Sequence, residues 1–262
     1  MQKLEAQIAQ KGPSADLYST LGVALYQNHQ FDRSLDMFSA ILKFRQPNAD
    51  ELRFIALDYV ALKDLASAEK WLRASLQLQP TDWRTWRYLG GVQYSQDRAA
   101  DAVAAFEACL KLAPHNALAE DGLARSLEGE GKFTDASRHY QRAIEFNLQE
   151  AKPSSLPSLH YGEFLFRQHD LSNALRQLQQ SERLAPDDAE THEFLSRVYQ
   201  QTGDKNQAFS EMRTASSLRP ENPRLHFLLA QLYKEAGNRD KANEEINRYV
   251  SLSRQHKDDW DR

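Results

Sequence analysis

Cysteine is all but missing from this chain: the single thiol, Cys109, excludes an intrachain disulfide and any paired-cysteine zinc or redox motif. Glycine and proline are sparse, ten and nine in 262 residues, as expected of a mostly helical chain. No apolar run approaches the roughly 18 residues that would mark a membrane span. The opening MQKLEAQIAQKG lacks a continuous apolar stretch and does not read as a secretory leader. As given, the chain reads as cytoplasmic; a fragment of a longer precursor would leave an exported or membrane-anchored parent open. Charge of one sign is also lacking: the net charge of −4 supplies no overall basic field for nucleic acid or an anionic membrane. Apolar residues make up 41 %, enough to bury a core.

What the sequence does have is a period of 34 residues. Leu123-Ala124, Ala136, Tyr140 and Ala143-Ile144 fall 34 residues after Leu89-Gly90, Ala102, Phe106 and Cys109-Leu110, with the residue classes kept. Repetition at this length signals stacked supersecondary units rather than one globular core. Counting positions from each unit's first residue, 4, 7, 8 and 11 form one apolar stripe at helical spacing, and 20, 24, 27 and 28 form a second. Gly131, Gly203 and Gly237 fall at position 15, where a first helix needs a left-handed stop. Pro80, Pro114, Pro186 and Pro220 fall at position 32 and block continuation of the second helix.

This unit resembles the tetratricopeptide repeat, a helix–turn–helix module. The best match runs from Trp83, with Trp86, Leu89, Gly90, Ala102, Phe106, Cys109 and Pro114 at the motif positions. In-phase copies span 15–48, 49–82, 83–116, 117–150, 155–188, 189–222 and 223–256. Pro47 comes one residue late in the first copy, and Glu120 and Leu148 depart from the pattern in the fourth. Residues 151–154 are an insertion, from which a longer connection and a local change of superhelical pitch are expected; a hinge and a tolerated surface loop are both open. Residues 1–14 are expected to supply a capping half-repeat helix, and 257–262 a polar tail. The resemblance implies an all-α fold: a right-handed superhelical α-solenoid of antiparallel helix pairs. Each pair is too thin to bury its own apolar face, so stability comes from neighbours.

A catalytic or metal-binding grouping does not emerge. His192-Glu193 begins like a zinc-protease helix, but the fifth residue is Ser196, so the second ligand is missing. His192 and His226 share position 4 of adjacent repeats; packing is favoured over a metal pair. Gly129-Glu130-Gly131-Lys132 has neither the preceding strand nor the following Ser or Thr of a phosphate loop. Cys109 reads as an inert core thiol, and Trp86 as core. The expectation is a non-enzymatic chain with no cofactor and no metal.

The resemblance also implies that first helices line a concave face, with positions 2, 5, 9, 12 and 13 pointing into it. In the first four repeats these positions hold Tyr26, Arg53, Arg84, Arg87, Tyr94 and Arg125, the candidate peptide-binding groove. Further along they include Glu163, Arg167, Glu193, Arg197 and Arg224. Guanidinium groups bind carboxylates bidentately and stack on rings. Two readings therefore stand side by side: a site for an acidic or carboxylate-bearing peptide, or a solvated face whose arginines pair with Asp50, Asp121 and Glu128. The carboxylate clamp of chaperone-binding family members is not matched: Ser19 and Val23, then Phe54, then Arg84 and Tyr88 occupy its positions. The expected function is a protein–protein interaction scaffold that holds a peptide or protein segment in the groove. The alternatives are a self-association module or the recognition segment of a larger multidomain protein.

Overall fold

The computed structural model describes residues 10 and 12–260, with side chains as far as 255. Fourteen α-helices and no strand are found among the described residues. They run α1 Ala15–Gln27, α2 Phe31–Ile41, α3 Ala49–Ala61, α4 Leu65–Leu78, α5 Trp83–Ser95, α6 Ala99–Leu112 and α7 Ala117–Gly129. The chain continues with α8 Phe133–Leu148, α9 Leu156–Arg167, α10 Leu171–Leu184, α11 Ala189–Thr202, α12 Lys205–Leu218, α13 Pro223–Glu235 and α14 Arg239–Trp260. Fourteen helices fit about seven two-helix repeats. The chain divides into two compact units, 1–146 and 147–262. Of the expected N-terminal capping segment, residues 1–9 and 11 lie outside the described residues, residue 10 is helical and 12–14 are not.

Local chemistry sets the helix boundaries. Short polar side chains cap the starts: Asn48, Asp82, Asn116, Asp188 and Asn222 each accept a backbone N–H at the head of a first helix. Asp64, Asp170 and Asp204 do the same for second helices. The turn within each repeat uses a left-handed residue at position 15. Gly131, Gly203 and Gly237 take it, as expected, at φ 75°, 87° and 76°. The other four repeats force His29, Lys63, Asp97 and His169 into the same region, at φ 57–62°. The turn geometry is thus fixed by the repeat even where the sequence offers no glycine.

Between the two helices of a repeat, packing follows the stripes. Gly22, Gly90 and Gly162 at position 8 face the position-24 side chains Phe38, Phe106 and Leu178, all buried. The position-20 residues Ser34, Ala68, Ala102, Ala136, Ala174 and Ala208 are wholly inaccessible. Cys109 is buried among them, and burial pushes its thiol up to about 11, which keeps it protonated at neutral pH.

Three departures follow from sequence irregularities. The late Pro47 goes with a short α2, which stops at Ile41; the following turn is tied by Arg45 to the buried Glu51 at 2.7 and 2.8 Å. The insertion gives the longer connection expected, and the Asn147 side chain clamps it, donating to Ser154 O at 2.7 Å and accepting from Ser154 N at 2.9 Å. At the C-terminus, residues expected as a tail continue α14 to Trp260.

Candidate functional site

The first helices carry the candidate groove. In unit 1, α1 touches α3 and α5 touches α7; in unit 2, α9 touches α11. First helices are thus drawn together on one side. On α5, positions 84, 87, 91 and 94 recur at three- and four-residue steps and so share one face. Gly91 sits in the middle of that face, and a β-carbon there would meet nothing within 4 Å. Its missing side chain serves no packing purpose and leaves the surface between Arg87 and Tyr94 open.

The six sequence-predicted residues differ in their surroundings. Arg53 is only 12 % exposed and is consumed by ion pairs, to Asp50 at 2.8 Å and to the buried Asp82. Asp82 also accepts from Thr85 Oγ1 at 2.6 Å. Burial alone would raise its carboxyl, but the Thr85 hydroxyl and Arg53 outweigh that and hold it below the usual carboxylate range. Arg53 is therefore a structural brace between repeats, as the solvated-face reading holds for its Asp50 contact. Tyr26 packs edge-on against Phe54 at 5.6 Å, and burial, then Tyr88 and Asp58, raise its hydroxyl pKa.

Arg84, Arg87 and Arg125 differ. Each lies over an aromatic face: Arg84 over Trp83 at 4.6 Å, Arg87 over Tyr88 at 4.3 Å and Arg125 over Tyr94 at 4.6 Å. Stacking holds a guanidinium flat and leaves its N–H edge available. Among the described residues Arg87 and Arg125 pair with no carboxylate, and Arg84 reaches only Asp82, at 3.9 Å. Glu128 accepts from the Tyr140 hydroxyl at 3.0 Å. The ring platforms under Arg84 and Arg87 are sequence neighbours of the arginines, a signal the groove positions do not include.

The groove-position arginines of unit 2 are matched by acids. Arg167 pairs with Glu163, and Arg224 with the buried Glu193 at 2.8 Å. Arg197 lies 3.9 Å from Glu193 and stacks over Phe166 and Phe194 at 4.6 and 4.9 Å.

Position 4 holds a second arrangement. Trp86, expected in the core, is only partly buried; it packs beside the core and donates its indole N–H to Pro80 O at 2.8 Å. His192 and His226 repeat this geometry, with Nε2 at 2.9 Å from Pro186 O and 2.8 Å from Pro220 O. Their Nδ1 atoms meet Glu211 and Glu245 at 2.6 Å. The two histidines thus serve separate carboxylates. The hydrogen bond to Glu211 raises the His192 pKa against the opposing effect of burial. In the fourth repeat the pair is reversed: Glu120, an anomaly in the motif, is fully buried and bonds His139 Nδ1 at 2.6 Å and Arg142 at 2.8 Å. The constant separation of 19 residues between acid and histidine is visible in the sequence and would have found all three pairs.

No helix among the described residues is long and apolar enough to cross a membrane. Comparison with known proteins gives one consistent family. Residues 19–82, 55–117 and 203–261 match the tetratricopeptide repeat, together more than half of the chain. Anaphase-promoting complex subunit 3 of Schizosaccharomyces pombe is 23 % identical over 154 residues, 58 % of this chain and 22 % of that protein. The peroxisomal targeting signal receptor of Candida glabrata is 25 % identical over 150 residues, 55 % of this chain and 20 % of that protein. The match therefore spans about a fifth of the length of either curated relative. The crystal structure of the APC/C hetero-tetramer Cut9-Hcn1 superposes with a TM-score of 0.75 at 14 % identity, over 91 % of this chain and 46 % of the solved one. With its repeat period, paired helices and these matches, the chain belongs to the tetratricopeptide repeat family.

Proposed function

We propose that this chain is a protein-binding scaffold that takes an acidic or carboxylate-bearing peptide segment on the α5–α7 face of unit 1. The family fold supports an interaction scaffold, and its members are in general not catalytic. One contrast carries the finer reading. Arg53, Arg167 and Arg224 are closely paired with acids, and Arg197 lies near one, whereas Arg87 and Arg125 are not paired and Arg84 is only loosely so. All three instead rest on aromatic rings, beside the opening at Gly91. Arginine and aromatic side chains supply a large share of interface hot spots. A ligand carboxylate fits between the exposed N–H edges, and its backbone fits the unfilled strip. The pattern differs from the chaperone-tail clamp, whose positions hold Ser19, Val23, Phe54 and Tyr88.

The test is fluorescence polarisation with labelled acidic, neutral and basic peptides of equal length. The acidic peptide should bind with salt-sensitive affinity. Arg84→Glu with Arg87→Glu should weaken it at least tenfold, since a hydrogen bond to a charged group contributes about 1.5–3 kcal/mol. Unchanged affinity in a variant with wild-type circular dichroism would show that the segment binds elsewhere.

A further inference from the structure

We infer that the junction between α10, α11 and α12 is a divalent-cation site of the zinc type, formed by Glu182, His192 and Glu211. The inference is independent of the groove and lies wholly within unit 2. One ligand atom from each of the three residues lies within 4.8 Å of the others. His192 is 5 % exposed, and its far nitrogen is fixed on Pro186 O at 2.9 Å. That bond orients the ring and aims Nδ1 at Glu211, with Glu182 close by, the arrangement typical of a metal-binding histidine.

The other two acid–histidine junctions act as internal controls. At each, an arginine at position 26 adds a positive charge: Arg142 to Glu120 at 2.8 Å, and Arg248 to Glu245 at 3.4 Å. In the sixth repeat position 26 is Thr214. The residue facing from the preceding repeat, at position 28, is Leu110 before the fourth repeat and Ser216 before the seventh, but Glu182 before the sixth. Ser216 Oγ indeed lies 3.5 Å from His226 Nδ1, in the place that Glu182 takes beside His192. The middle junction has therefore gained a carboxylate and lost a guanidinium. Among the described residues neither Glu182 nor Glu211 pairs with a lysine or arginine. Two acids share one imidazole here, so negative charge is in excess even when the ring is protonated, and two oxygens with one nitrogen make three ligands of a tetrahedral zinc ion, water completing the fourth. Ligand atoms around such an ion stand roughly 3.3 Å apart. Nδ1 and Glu211 Oε2, at 2.6 Å, would separate by under about 1 Å as the ion replaces the Nδ1 proton, which leaves to solvent. The ion would tie the fifth repeat to the sixth.

Isothermal titration of the chelator-stripped full chain with zinc sulfate at pH 7.5 tests this. One equivalent should bind at micromolar concentration or tighter and raise the thermal midpoint. Glu182→Gln, at a half-buried side chain, should weaken binding at least tenfold. Thr214→Arg, which restores the cation present at the sister junctions, should abolish it while leaving the fold intact by circular dichroism. Absence of saturable uptake, or uptake equal in wild type and both variants, would overturn the assignment.

Discussion

Replacing Gly122 with alanine should destabilise unit 1, whereas the same replacement at Gly91 should stabilise it. Both glycines are helical, so alanine brings each about 0.8–1.0 kcal/mol of helix propensity. At Gly91 the new methyl meets nothing within 4 Å, and the whole gain is kept. At Gly122 the β-carbon would stand 2.3 Å from Phe106 Cζ and 2.5 Å from Cε1. The ring cannot retreat, because its other side lies on Gly90, where an added β-carbon would itself come within 2.9 Å. Phe106 is thus a wedge between α5 and α7, seated in two glycine notches. Restoring ordinary contact requires the ring or a helix to move by more than about 1 Å, and overpacking of this kind costs about 1–3 kcal/mol. Set against the propensity gain, Gly122→Ala should lose up to about 2 kcal/mol, leaving the two variants about 1–3 kcal/mol apart. Urea denaturation followed by tryptophan fluorescence reads the right unit, since Trp71, Trp83 and Trp86 all lie in it. Phe106→Leu in the Gly122→Ala background should recover part of the loss. A Gly122→Ala midpoint at or above wild type would refute the wedge.

Two further outcomes are expected. Asp58 is fully buried with neither carboxylate oxygen hydrogen-bonded, and burial, with Asp32 adding to it against the nearby Ser34 hydroxyl, pushes its pKa up to about 7. The folded state then holds a proton that the unfolded state releases near pH 4, so this group's contribution falls as pH rises from about 4 to about 7. Asp58→Asn should match wild type near pH 4 and exceed it by on the order of 4 kcal/mol at pH 7.5; a pH-independent difference between the two denaturation curves would contradict this. Lys63 stands at φ 62° in an exposed turn. Lys63→Gly should relieve the left-handed strain and raise stability by about 0.5–1 kcal/mol, whereas Gly203→Lys, the reverse change at the same repeat position, should lower it; a thermal-melt series showing the same sign for both would dismiss the strain account.

The fold was legible because its signal recurs. Position 8 glycines against large position 24 side chains, and glycines at position 15, repeat often enough for single departures to be recognised as such. The wedge at Gly122 escaped notice because position 6 carries no motif residue; only the approach of α7 to Phe106 gives that glycine a role. The candidate groove can be named by position in the sequence, but the pairing of its charges cannot. Arg53 and Arg87 share position 5 and look equivalent in the sequence, yet one is braced by Asp50 and Asp82 and the other is left unpaired on Tyr88. That distinction depends on Asp82, 29 residues downstream, which serves at once as helix cap and ion-pair partner. Glu120 was an exception to the apolar pattern; in three dimensions it belongs to a second rule, the acid–histidine pair, that the apolar pattern conceals.

Helices in this chain touch partners one or two places away in sequence, and the strongest contacts are between immediate neighbours. The consequence is modular: whole 34-residue cassettes could be deleted, duplicated or exchanged at the Asp- and Asn-capped borders without rethreading the remainder. Recombination could in this way lengthen or shorten the array, provided that the side chains meeting across each border are exchanged together.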